Sequence, residues 1–70
     1  MQTVHSESYK TLNDRVITYV ITRHCIGSKA EYYALKVDVD GVTIGVHTGK
    51  TPSYVYGCMD KFVRMYAKVA

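Results

Sequence analysis

Seventy residues carrying nine Lys and Arg against six Asp and Glu bound one small, mildly basic domain with a net charge of +3. No apolar run approaches the roughly 20 residues of a membrane-spanning helix. That charge is compatible with a polyanionic partner without demanding one.

A chain this short buries only about 60% of the surface its unfolded form exposes, so its core needs help. Disulfides are an unpromising source. There are two cysteines, Cys25 and Cys58, in no Cys-x-x-Cys pair, and no charged-then-apolar leader follows Met1. The expectation is a cytoplasmic chain with free thiols, which gains extra burial by self-association.

Residues 1–14 combine a helix-like spacing of Tyr9, Leu12 and Val16 with Ser, Thr, Asn and Asp, which suits a weakly ordered arm or one short helix. The folded domain is expected over 15–70. Arg15 to Ile26 is rich in Val, Ile, Thr and Tyr and reads as a strand. It is apolar on both sides, with Ile17, Tyr19 and Ile21 on one and Val16 and Val20 on the other. A two-sided strand implies cover on both faces, by the N-terminal arm or a second subunit.

Gly27-Ser28-Lys29-Ala30 turns the chain into a hairpin that runs from Tyr33 to Val46 around Asp40-Gly41. Asp-Gly suits a type I′ turn, which needs positive φ at both central positions. The turn predicts Val39 opposite Val42, Val37 opposite Ile44 and Leu35 opposite Val46, all facing inward. Thr48 to Ser53 reads as a loop, with Thr51 able to cap a helix that has Pro52 at its first position. Beyond it Val55, Met59, Phe62, Tyr66 and Val69 recur at spacings of 4, 3, 4 and 3, an amphipathic helix for the inner sheet face. The expected fold is α+β, a three-stranded antiparallel meander with one C-terminal helix (β-β-β-α).

Chemistry-bearing patterns are sparse. Gly45-Val46-His47-Thr48-Gly49-Lys50-Thr51 approaches a phosphate-binding P-loop, but three residues separate its glycines where four are needed, and Pro52 removes a donor. Lys50 and the helix start retain the capacity to hold one anion. His24 and Cys25 are adjacent on a strand and leave opposite faces, and His5, His47 and Cys58 have no structural-zinc spacing. Nothing assembles a nucleophile with its base. The expectation is a non-enzyme without cofactor or metal.

Two surfaces stand out. An outer sheet face is expected to present Tyr32, Ala34 and Lys36 beside Gly45 and His47, with Tyr19 as a further contact, for a protein partner or for a second copy. The sheet edge offers a second docking mode. Lys50, Lys61, Arg64 and Lys68 form a basic helix side suited to nucleic acid or another anion. The β-β-β-α order, with a Gly-rich turn into the last helix, resembles a double-stranded-RNA-binding domain in outline over residues 16–70. Such domains carry a lysine cluster at the start of that helix; here Lys50 is followed by Thr51, Pro52, Ser53 and Tyr54. The readings are thus a protein-binding module of inhibitor or adaptor type, homodimeric by expectation, and alternatively a nucleic-acid-binding domain.

Overall fold

A computed structural model describes residues 1–67. Four strands, β1 (Gln2–Lys10), β2 (Val16–His24), β3 (Tyr32–Val39) and β4 (Val42–Gly49), precede one helix, α1 (Pro52–Met65). The strands form a single antiparallel meander in the order β1-β2-β3-β4, and α1 lies across β3 and β4. The α+β class with a C-terminal helix holds, but the sheet has four strands rather than three.

The fourth strand is the segment expected to be an arm or short helix. Its alternation is real but polar: His5, Glu7 and Tyr9 are half-buried while Ser6, Ser8 and Lys10 are exposed. The strand is ended after Lys10 by a turn in which Thr11 N–H donates to the Arg15 carbonyl (2.7 Å) and Asp14 takes a positive φ of 62°. Residues 2–10 pair along the side of β2 and do not lie over it, which corrects the expected cover of the outer face. With a strand in place of an N-terminal helix, the outline likeness to a double-stranded-RNA-binding domain also weakens.

The core forms where β2, β3 and α1 face one another. Ile17, Tyr19, Ile21, Leu35, Val37 and Val55 are fully buried and Met59 nearly so. Tyr19 brings a hydroxyl into this core and needs a partner for it. Tyr9 Oη lies 2.9 Å from Tyr19 Oη and donates to the Tyr66 carbonyl at 2.9 Å. Because that carbonyl only accepts, the Tyr9 proton is committed to it, and Tyr19 donates to Tyr9. The relay ties core strand, edge strand and helix end together.

The hairpin turn forms as expected, with φ of 51° at Asp40 and 83° at Gly41, and Val39 pairs with Val42. The next two expected pairs do not form. A register shift inserts Ile44 as an extra residue, after which Val37 pairs with Gly45, Lys36 with Val46 and Leu35 with His47. One extra residue exchanges the two faces of a strand. Gly45, His47 and Gly49 therefore face α1, and Val46 joins the outer face. Thr51 occupies the N-cap position with extended backbone, yet its side chain makes no cap hydrogen bond; Pro52 is at the helix start as expected. Val69 lies outside the described residues.

Candidate docking surface

The space beside α1 on its β4 side is created by glycines. A Cβ at Gly45 would meet Phe62 Cζ at 3.1 Å, and one at Gly49 would overlap Tyr54. With hydrogen in both places, the helix rings settle close to the strand, and His47 stands between the two glycines with its ring centroid 5.7 Å from that of Phe62. The result is a groove of about 260 Å³ lined by His47, Tyr54, Cys58, Lys61, Phe62 and Met65. Tyr54 and Met65 are 55% and 70% exposed, and Val42, Ile44 and Val46 on the adjoining strand 65%, 43% and 61%. Half of the ten large apolar side chains exposed among the described residues thus lie along the β4 edge, with Tyr54 and Met65 on the α1 face and Val46 on the opposite one.

The two sheet edges differ in character. β1 carries His5, Glu7 and Lys10, whereas β4 from Val42 to Gly49 carries no formal charge. Each edge strand has one register shift, so bulging does not distinguish them; the side chains do. Edge strands that must stay unpaired are usually blunted by charge. β1 has that protection and β4 lacks it.

The outer sheet face is built differently from the expectation. Tyr32, Ala34 and Lys36 do lie there, but Gly45 and His47 face the helix, displaced by the register shift. Tyr19 is fully buried and is removed from any surface. The polar groups of the outer face largely satisfy one another. Ser8 and Thr18 hydroxyls are 3.1 Å apart, Thr43 donates to Asp38 at 2.7 Å, and Lys36 Nζ lies 3.8 Å from Asp38. Tyr32 stacks on His24 with centroids 4.8 Å apart and planes inclined by 8°, and His24 also hydrogen-bonds Thr22 at 2.8 Å. This face is a solvated one with its own internal partners.

Among the expected cation sites, Lys50, Lys61 and Arg64 are exposed. Arg64 sits in the last turn of α1, where a cation complements the helix dipole. Lys61 borders the groove, and Lys68 lies outside the described residues. The Gly45–Gly49 segment is strand and not loop, so its glycines serve packing and do not form a phosphate cradle. Cys25 and Cys58 are free thiols, and no group of three metal-ligating side chains occurs among the described residues. No described helix is long and apolar enough to cross a membrane.

The groove therefore collects His47 and Lys61 from the expected residues, with Gly45 facing the same helix, and leaves Tyr32, Ala34 and Lys36 on the opposite side. Sequence reasoning missed Tyr54, Cys58 and Met65. The signal was present, since residues 54, 58, 61 and 65 recur at spacings of 4, 3 and 4, a second stripe beside the core stripe. No family model, curated protein or solved structure matches this chain.

Proposed function

We propose that the chain is a non-enzymatic protein-docking module that engages its partner through the β4 edge and the adjoining groove along α1. The observation that carries this reading is the concentration of exposed apolar side chains (Val42, Ile44, Val46, Tyr54, Met65) along the β4 edge, on both of its faces, of a domain whose opposite edge is polar. Aromatic and methionine side chains surrounded by polar rim are the usual make-up of such contacts, and an unprotected edge supplies main-chain hydrogen bonds to an incoming strand. The inhibitor or adaptor role belongs with this reading, because the whole effect of such a protein lies in what it covers.

A photo-reactive residue placed at Val46, and separately at Ser8 beside the polar edge, tests it in the source cell. Adducts are expected from Val46 and not from Ser8. Equal yields at both, or adducts only from Ser8, would overturn the choice of surface.

A further inference from the structure

Resting on that reading, we infer that the partner offers the groove along α1 an extended acidic segment, with one apolar side chain flanked by carboxylates. A balance of charges selects this occupant. Lys10, Arg15, Arg23 and Lys36 each stand within ion-pair distance of a carboxylate, from Asp14, Asp40, Glu31 and Asp38 respectively. His5 likewise approaches Glu7. Among the described residues Asp60 is the one carboxylate with no cation beside it, and Lys29, Lys50, Lys61 and Arg64 are the cations with no carboxylate. Three of those four lie on α1 or just before it. The excess positive charge of the chain is therefore left over at the helix and is not spread over the surface.

The two flanks of the helix differ in make-up. Tyr56 meets His5 of β1 with ring centroids 5.8 Å apart, and Asp60, one turn on, follows it on that flank. The other flank borders the groove, where Lys61 is the only formal charge among the lining residues. Lys50 precedes α1, whose first turn has no acidic residue and whose cap position makes no side-chain hydrogen bond. The positive end of the helix dipole thus adds to Lys50 with no acidic side chain to offset it. Positive charge stands at two places along an apolar groove.

Their spacing shapes the segment that fits. A rise of 1.5 Å per residue carries Lys61 roughly 14 Å along the axis from Pro52. In an extended segment residues i, i+2 and i+4 share one face, and the outer two are about 13 Å apart. Acid, apolar, acid at those positions sets the central side chain in the groove and a carboxylate toward each positive place. A groove of about 260 Å³ falls short of the roughly 300–1,000 Å³ of drug-sized ligand sites, and suits a side chain better than a free cofactor. A nucleic-acid strand matches the cations but repeats a phosphate at every nucleotide. It would set charge against Val42 and Ile44, which are exposed on the adjoining strand.

The test is an NMR titration of the full chain with capped five-residue peptides, with circular dichroism recorded on every variant. Glu-Ser-Phe-Ser-Glu is expected to shift the resonances of His47, Tyr54, Phe62 and Met65. It should bind about three- to tenfold more tightly than Gln-Ser-Phe-Ser-Gln, as two exposed ion pairs allow, and high salt should shrink that difference. Lys61→Gln, at an exposed position, is expected to keep the folded spectrum and lose most of the preference, and Lys61→Glu to reverse it. Glu-Ser-Ala-Ser-Glu should bind more weakly, because no large side chain fills the groove. Equal binding of the acidic and neutral peptides, or an acid preference that survives Lys61→Glu, would overturn the acidic occupant. So would shifts confined to residues away from the groove, tighter binding of a thymidine oligonucleotide of equal charge, or no binding of any peptide at millimolar concentration. In each of those cases the β4 surface stands or falls separately, by the adduct yields from Val46 and Ser8.

Discussion

Gly45 stands where the ring of Phe62 needs room, since a Cβ on Gly45 would lie 3.1 Å from Phe62 Cζ. Four residues on, Gly49 makes the same allowance for Tyr54, but more tightly and against the base of the side chain. The Cγ and Cβ of Tyr54 come within 3.0 and 3.2 Å of the added atom, and a χ rotation cannot move Cβ. These two contacts set how closely α1 approaches β4.

Their difference gives an ordering of mutational effects. Gly49→Ala should cost about 1–3 kcal/mol, the usual range for forced overpacking. Gly45→Ala should cost less, because the tip of a half-buried ring can shift into the open groove. Urea denaturation of the two variants checks the order, and a larger loss for Gly45→Ala would contradict this account of the helix position.

The tyrosine relay predicts an asymmetry between two hydroxyl deletions. Tyr9→Phe strips the Tyr19 hydroxyl of its acceptor and the Tyr66 carbonyl of its donor, at a cost of about 1–3 kcal/mol. Tyr19→Phe leaves Tyr9 donating to Tyr66 and should cost less. Equal losses would mean the donor order is wrong.

The same relay has a signature at high pH. Burial, and next the hydrogen bond with Tyr9, push the Tyr19 phenol well above the ordinary tyrosine range. A raised folded value stabilises the fold below the unfolded pKa of about 10, and that contribution is lost as pH rises from there through the folded value. Absorbance titration should show one of the seven tyrosines resisting ionisation until the fold opens. Seven tyrosines titrating together in the folded protein would contradict it.

Acid should act mainly through the hairpin and loop anchors. Asp40 accepts the Val16 N–H at 2.9 Å and the Arg15 guanidinium at 2.9 Å, and these bonds, the backbone one first, hold its carboxyl below the usual range. Glu31 is lowered in the same way by Gly27 N–H and by Arg23. A depressed carboxylate stabilises above its unfolded pKa, about 3.9 for Asp, and loses that contribution as pH falls through the folded value. Asp40→Asn tolerates the positive φ of the turn and removes the charge together with one of the two acceptor oxygens. Its urea midpoint should fall below that of the wild type at neutral pH and converge with it in strong acid. A gap that stays constant down to strong acid would show that the charge is not responsible.

Much of this architecture was legible in the residues, and the losses have definite causes. The type I′ turn at Asp40-Gly41, the inner face of β2 and the stripe Val55, Met59, Phe62 were readable because turn chemistry and apolar period agree there. β1 was hidden because its alternation runs through His5, Glu7 and Tyr9, which a hydrophobic count does not see. The faces of β4 were reversed by one bulge residue, Ile44, which no period-2 reading anticipates. Val46 was therefore placed in the core and Gly45 on the surface. The candidate site moved with that slip: Val42 and Val46, expected under the helix, are exposed, while Val37 is buried there as expected, and the Gly-rich stretch read as a loop is the strand that admits the helix rings.

The most direct measurement of the docking surface is methyl accessibility to a soluble paramagnetic probe, recorded by NMR with and without the partner captured at Val46. Val42, Ile44, Val46 and Met65 should be shielded relative to the free protein, while Val20 and Ala34 on the outer sheet face should be bleached equally in both. Shielding of Val20 and Ala34, with the β4 methyls left open, would contradict the account.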